Sequence, residues 1–544
     1  MSADKAHCHC FSPPPPVTRT NAIRGSVLVV ALMFTAIACF VLGSVLIAAA
    51  NHADLVDRQN EFISATYIAE AGQERMYAAI NKHLKDTGQA PNQSHIDTFS
   101  TSEIPNASDH AKFDKYTFIT PEGQENKIKS LKSGSSVLQT LTSGPYAGLY
   151  ALITPYQVVS RTRHNNKHVW AAVQCDVQIQ HIPIFQFAIF YNMDMEIENG
   201  PVMSVNGRVH GNANGYYAPG SILTFQDRVT LVQDLYHNPK PGDTHQTSWI
   251  TPTYNTDPIT HTSTLNMPIA TTDYHDLTEL PPEHGNDPIE TDRLYNKAGL
   301  RIEVTTTGIS ATDASGNAVT LSSSLISTNK NLYNYREART VKITELNIGA
   351  MLSAGVLPAN GILYVADTRT SGQTAVRLVN GAVIPSQGLS VVSQNPVYIQ
   401  GNYNTTYDNP AAIFADSINI LSSNWADSRS SQSLSSRTAR DTTVNSAFFT
   451  GIVPTAGANY SGGVENLPRF LENWTGYSFT YRGSMVVMFS SQTSTGRWVY
   501  GGNYYTAPNR NWAFDTQFLD ATRLPPGTPS VRAIRRANWK LAYY

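Results

Sequence analysis

Several groups of residues in this 544-residue chain have side chains able to do chemistry. His7, Cys8, His9 and Cys10 form an H-C-H-C run of metal-capable side chains, but the spacing matches none of the standard zinc patterns, so a leader is expected there instead of a metal centre. A second concentration lies between 237 and 286, where His237, Asp243, His245, His261, Asp273, His275 and His284 supply ligand types. None has a rigid spacing such as H-x-x-x-H on a helix, which predicts a solvated loop. Ser327 and Lys330 match S-x-x-K, yet the motifs that accompany it in penicillin-recognising enzymes do not follow. His210, in the run V-H-G-N-A-N-G, has the chemistry of a base but reads more simply as a hydrogen-bonding side chain on a turn-rich β surface. Asp194, Glu196, Glu198, Asp408 and Asp416 could furnish the convergent carboxylates of a β-helix polysaccharide lyase or glycosidase. Glu196 and Glu198 alternate along one strand face, however, and an exposed face carries such residues without catalysis. Tyr216, Tyr217, Trp474, Trp498, Tyr504, Tyr505 and Trp512 could build a platform for glycans, although such residues more often belong to the core. The phosphate-binding, dinucleotide, zinc-protease, nucleophile-elbow and EF-hand motifs do not occur. No catalytic, cofactor-binding or metal residue is assigned, and the chain is expected not to be an enzyme.

The elements that would position these residues begin with a membrane segment. From Ser26 to Ala50 the sequence carries no charge over 25 residues, which as a helix spans ~37 Å and is enough to cross a bilayer. Lys5, Arg19 and Arg24 precede it, whereas Asp54, Asp57 and Glu61 with only Arg58 follow, so the amino end is expected to face the cytoplasm and the bulk of the chain to lie outside it, periplasmic or at the cell surface. A cleaved signal peptide ending at Ala48-x-Ala50 is disfavoured, because the apolar run exceeds the 7 to 15 residues typical of such segments. A lipoprotein site at Cys39 is disfavoured by the apolar residues that follow it. Four cysteines, of which only Cys175 follows the apolar run, cannot form a disulfide framework, and Cys175 is expected to be a small core residue. With Lys+Arg 39 against Asp+Glu 41, no field favours nucleic acid.

Beyond the membrane, Asn51 to Lys85 keeps helical spacing, with Leu55, Phe62, Ala69 and Met76 at sevens. This stripe suits either packing on the chain's own globular region or packing between subunits. Ala65, Gly72 and Ala79 form a small-residue line that would admit a second helix at close approach.

The run Arg24-Gly25-Ser26-Val27-Leu28-Val29-Val30-Ala31-Leu32, followed by a long helix carrying Ala69-Glu70-Ala71-Gly72, resembles the amino-terminal region of PilX-type minor pilins. The resemblance implies a leader cut by prepilin peptidase between Gly25 and Ser26. It also implies an apolar helix, including Val30, Leu55, Phe62, Ala69 and Met76, that packs with other pilin-like subunits in a type IV pilus or pseudopilus. The leader is longer than in that family and contains Pro13 to Pro16, and Val30 stands where major pilins carry Glu.

The exported region reads as mainly β. Leu149–Val159 and His168–Ile179 predict a hairpin, and from Phe185 short apolar stretches alternate with Asn-Gly and Pro-Gly turns, as in a parallel β-helix or a sandwich of short strands. Val464 to Trp474 has helix-like spacing, and Tyr481 to Phe489 reads as one buried strand. The expected fold class is α+β, mainly β. The expected organisation is a leader at 1–25, a transmembrane helix at 26–50, a helical stalk at 51–85 and an α+β region with the hairpin at 86–182. A solenoid-like domain at 183–430 with a loop insertion at 237–286, and a mixed region at 431–544, complete it. Surface adhesion through glycan binding, or less readily polysaccharide cleavage, are the alternatives to a structural role.

Overall fold

The computed structural model describes residues 26–87, 89–245, 247–370, 372–457 and 459–543. The fold is α+β, mainly β. Helix α1 (Ser26–Thr87) runs unbroken for 62 residues, or ~93 Å at 1.5 Å per residue. Continuity follows from composition: no Pro occurs within it, and its first half is built from Ala, Leu, Val and Ile. The short helix α2 (Gln93–Ser102) follows, opened by Asn92, whose side chain accepts from the His95 amide.

The lower half of α1 lies on an antiparallel sheet. The predicted hairpin forms its centre: β4 (Tyr150–His164) pairs with β5 (Trp170–Pro183), Val158 opposite Cys175. Three short strands, β1 (Tyr116–Phe118), β2 (Lys129–Lys132) and β3 (Val137–Thr140), pair along the other side of β4. The free side of β5 is taken by the last strand of the chain, Ser530–Leu541, which runs antiparallel to it. Residues nearly 350 positions apart in sequence are therefore neighbours in one sheet, and everything between them leaves and re-enters at a single point. There the Ile184 amide donates to the Pro529 carbonyl at 2.9 Å.

What emerges at that point is a parallel β-solenoid, not a sandwich. The first turn comprises β6 (Phe187–Tyr191), β7 (Met195–Ile197) and β8 (Met203–Val205). The second turn stacks in parallel on the first, pairing Ile189 with Val209, Met195 with Gly215 and Met203 with Leu223. The third adds Val209 with Val229 and Gly215 with Leu235. Each of these pairs is 20 residues apart. That period is visible in the sequence once known: Asn192/Asn212, Gly200/Gly220, Ser204/Thr224 and Arg208/Arg228 recur at it.

The chain then crosses through the 237–286 insertion and builds a second stack towards the first. In the main ten-stranded ladder the order is Val229–Leu231, Arg208–Gly211, β6, Met485–Ser490, Ala447–Ile452, Ala411–Ala415, Leu389–Val392, Ile362–Asp367, Leu300–Thr305 and Gly308–Asp313. The two stacks meet where β6 pairs with Met485–Ser490. Parallel strands buried on both faces read as continuous apolar runs, which explains ILYVAD at 362–367 and AAIFA at 411–415. At the corners Gly388 has φ +93° and a Cβ there would lie 2.4 Å from the Pro410 carbonyl oxygen, so this turn of the stack requires glycine. At one end the outermost strand is covered by the insertion, the Leu231 amide donating to Ile259 at 2.9 Å. At the other, Gly308–Asp313 ends the ladder as an antiparallel hairpin strand.

Two sequence expectations fail in the last third. Val464 to Trp474 is not a helix but a 3-10 turn (Val464–Asn466) and a two-residue strand (Arg469–Phe470), because stacking on the neighbouring rung at Asn419 and Ile420 overrides local spacing. Tyr481 to Phe489 is two strands, Ser478–Gly483 and Met485–Ser490, separated by a corner at Ser484 and contributing to different faces.

Candidate functional site: the anchoring helix and the buried side chains of the solenoid

The upper and lower halves of α1 have opposite environments. The most apolar part of the helix is long enough to cross a membrane, and none of it is buried against the rest of the chain. Val30, Leu55 and Phe62 are exposed, at 48%, 64% and 39%. Ala69 and Met76, on the same stripe, are fully buried on the chain's own sheet. Gly25 lies outside the described residues, as do Cys8, Cys10, His7 and His9, and Ser26 is the first residue of α1. Cys39 is exposed and Cys175 is a buried free thiol.

The small-residue line serves a different contact from the one expected. Ala65 and Gly72 are buried against strands, and a Cβ on Gly72 would stand 2.5 Å from Phe118 Cε1 and 2.6 Å from Ser160 Oγ. The missing side chain admits the sheet to the helix, not a second helix. Ile68, Met76, Ile80 and Leu84 then pack with Tyr116, Phe118, Tyr156, Val158, Cys175 and Val177 in a core separate from that of the solenoid.

Polar contacts fix where docking begins. Lys167, from the β4–β5 turn, donates to Asp57 at 2.8 Å and Glu61 at 3.0 Å, and Tyr116 Oη donates to Glu61 at 3.0 Å. The Lys167 bond holds the Glu61 carboxylate below its ordinary range, while burial and then Glu61 push Tyr116 up to about 12. Thr162 Oγ1 donates to the Ala65 carbonyl, and Arg532 reaches the Leu84 carbonyl at the far end. Among the described residues no such contact to the sheet is made above Asp57, and Leu55, Val56, Phe62, Ile63 and Tyr67, on either side of it, leave an apolar strip uncovered.

The remaining sequence candidates are structural in placement. Ser327 donates to Asn329 on an exposed strand. Asp416 accepts from the amides of Gln492, Thr493 and Ser494 at 2.5 to 3.0 Å, Asp408 pairs with Arg482, and Asp194 pairs with Lys240 at 2.9 Å. Glu196 and Glu198 are not on an exposed strand face: they are 2% and 9% exposed, beneath the insertion and the 455–465 segment. Thr455 donates to Glu196 at 2.7 Å and Tyr460 to Glu198 at 2.9 Å. Burial and the adjacent Asp243 push the Glu198 carboxyl up to about 9, and burial raises Glu465 to about 7, so Glu198 is neutral at pH 7.

His275 is buried in the insertion between Glu279 at 2.8 Å and Asp416 at 3.6 Å. Among the described residues no group of three or more His, Cys, Asp or Glu side chains is placed to hold a metal. Of the aromatic residues, Tyr217, Trp474, Tyr216 and Tyr505 are core, whereas Trp498, Tyr504 and Trp512 are half-buried.

His210 is a core residue, not a surface one. It is fully buried, with Nδ1 2.8 Å from Thr230 Oγ1 and Nε2 3.0 Å from Asn212 Oδ1, and burial lowers its pKa to about 4. The unfolded chain takes up a proton near pH 6.5 that the folded chain refuses until about pH 4, so stability is lost as pH falls through this window. We expect up to about 3 kcal/mol of loss between pH 7 and 4 attributable to this residue. Chemical denaturation at a series of pH values checks it, and a His210→Gln chain with an equally steep acid slope would refute it.

No protein-family model matches the chain, and no curated protein matches it. Among solved structures, a match is found to the competence-associated pilin ComZ from Thermus thermophilus, at 11% identity and a TM-score of 0.30, covering 88% of this chain and 97% of that one. By its own geometry the chain is a single long helix, half uncovered and half docked on an antiparallel sheet, into which a β-solenoid is inserted.

Proposed function

We propose that this protein is a membrane-anchored, low-copy structural subunit of the minor-pilin type, assembling with other pilin-like subunits in a type IV pilus or pseudopilus-like apparatus. The observation that carries the reading is the division of α1. Its upper half is apolar and uncovered on every side, while the lower half is locked to the chain's own sheet. An apolar helix surface on this scale requires lipid or other helices around it. In the reading, prepilin peptidase cuts between Gly25 and Ser26, the bilayer holds the upper helix before assembly, and neighbouring subunits replace lipid afterwards. Val30, Leu55 and Phe62 then face neighbours, and the solenoid lies outside the cytoplasm, in the periplasm or at the surface. Val30 cannot offer a carboxylate to a neighbouring subunit's amino terminus, and an unpaired amine in apolar surroundings is costly, which suits a tip or initiating position.

Amino-terminal sequencing of protein purified from membranes of a host with prepilin peptidase tests the processing step. The expected terminus is Ser26, and Gly25→Leu should abolish it. An intact leader in the unaltered chain refutes the processing. A reporter fused after Thr87 tests orientation separately: activity outside the cytoplasm is expected, and cytoplasmic activity overturns the reading.

A further inference from the structure

A cavity of about 310 Å³ lies where three parts of the chain meet: the last turns of α1, the start of the final strand, and residues 262–266 of the insertion. Its walls are tied together. The Arg532 amide donates to the Asn266 carbonyl at 2.9 Å, the Thr262 amide to the Leu231 carbonyl at 3.0 Å, and Tyr146 Oη to the Ser263 carbonyl at 3.3 Å. Arg532 pairs with His181 in the sheet, on the face that carries Ile179 and Cys175 and packs on α1. Its side chain therefore runs beneath the end of the helix, where Nη1 donates to the Leu84 carbonyl.

Arg532 differs from the other buried arginines. It is 8% exposed, yet it forms no ion pair with a carboxylate among the described residues. Arg293, Arg377 and Arg469 are equally buried and each pairs with a carboxylate, while Arg437 donates to the carbonyls of Leu471, Asn503 and Tyr504. Arg532 has the Leu84 carbonyl alone. Its Nε and Nη2 make no hydrogen bond among the described residues and, unlike Arg437 Nε or Arg482 Nε, neither is sealed from solvent. Side by side on the guanidinium, these two nitrogens form the fork that an oxyanion accepts from. Lys85 brings a second positive charge to the lining, and no Asp or Glu belongs to it. Asp86 is turned to Lys82, and Glu74 to Arg536. The carboxyl end of α1 offsets about half a charge, which leaves the cavity positive.

We propose that this cavity binds a phosphate group. Two cations with no acid beside them match a dianion better than the single charge of a carboxylate. The Arg532 fork holds two oxygens, and the hydroxyls of Ser263 and Thr264 with the amides of Asn81 and Asn266 donate to the others. The volume stands at the lower end of ordinary small-ligand sites, which suits the free ion or a small phosphate ester. A lipid headgroup is not the source: the uncharged run ends at Ala50, and Leu84 lies ~51 Å further along α1 at 1.5 Å per residue. The inference does not rest on the pilus reading, because the cavity is formed whatever α1 anchors.

The test is isothermal titration calorimetry of the detergent-solubilised full chain with inorganic phosphate, glycerol 3-phosphate and acetate at fixed ionic strength. Saturable binding of at least one phosphate is expected, the tighter of the two distinguishing free ion from ester, with acetate about tenfold weaker or more. Arg532→Gln should weaken phosphate binding about tenfold or more, since it removes hydrogen bonds from a charged donor. Because Arg532 also caps α1, two further variants leave that bond in place. Lys85→Gln, at an exposed position, should weaken binding about threefold or more while leaving the thermal midpoint in phosphate-free buffer unchanged. Thr264→Glu, exposed on the rim, should abolish binding by putting a carboxylate within reach of the fork. No saturable binding of either phosphate up to about 10 mM, where even weak sites show, overturns the proposal. Acetate binding as tightly as phosphate also overturns it, as does phosphate binding that survives both Lys85→Gln and Thr264→Glu.

Discussion

Gly72→Val is expected to release the lower half of α1 from its sheet. Even a methyl group at this position would meet Phe118 Cε1 at 2.5 Å, Ser160 Oγ at 2.6 Å and Ile128 Cδ1 at 3.1 Å. Neither close neighbour can yield cheaply: Phe118 is buried in β1 and Ser160 is fully buried in β4, the central strand of the sheet. Overpacking a filled core costs about 1–3 kcal/mol, and a β-branched side chain at this separation belongs at or above the upper end. The same change at Gly43, where nothing lies within 4 Å of the added carbon, supplies the control, since both glycines occupy one helix and share its propensity cost. Thermal unfolding in detergent, together with limited proteolysis of the segment after Thr87, reads the outcome. Equal midpoints for Gly72→Val and Gly43→Val would show that close approach of helix and sheet is not what holds α1 to the β-rich region.

Removing the Glu337 carboxylate should be comparably damaging to the solenoid. Glu337 and Arg469 pair at 3.0 Å with side chains 1% and 4% exposed, and the second Glu337 oxygen accepts the Gly496 amide at 2.9 Å. One bond ties the Arg339–Asn347 hairpin strand's turn to the end of the six-stranded ladder, and the other ties it to the loop after Met485–Ser490. Glu337→Ala leaves a buried guanidinium whose remaining contacts are the Ser494 carbonyl at 3.0 Å and Ser491 Oγ at 3.4 Å. Breaking one side of a buried ion pair costs about 3–5 kcal/mol, mostly as the desolvated charge left behind. Replacing both residues, Glu337→Ala with Arg469→Leu, should therefore recover part of the loss. Urea denaturation of the three chains measures it, and a double variant no more stable than Glu337→Ala would contradict the stranded-charge explanation.

The corrections at His210, Glu196 and Glu198 share one cause. Each stands in a polar, turn-rich run that reads as surface, yet each is covered by residues from another rung or from the 455–465 segment: His210 by Thr230, Glu196 by Thr455 and Glu198 by Tyr460. Periodicity reports which way a side chain points from its own strand, not what later segments lay over it. The 20-residue repeat is present in the sequence but weak, because most of its positions keep only size or polarity and the period is broken by the insertion after three turns.

What the sequence alone determined is the long apolar helix and the β character of the rest. An uncharged run of 25 residues and a heptad stripe are local properties of the chain, and no tertiary contact is needed to read them. Apolar runs bounded by Asn-Gly and Pro-Gly corners likewise specify short strands. Only the tertiary structure decided that the final strand returns to β5 and that the two solenoid stacks grow towards each other. Those facts depend on pairings between residues some 300 positions apart, and parallel pairing leaves no turn signature in the text, since its partners are joined by long connections and not by a hairpin.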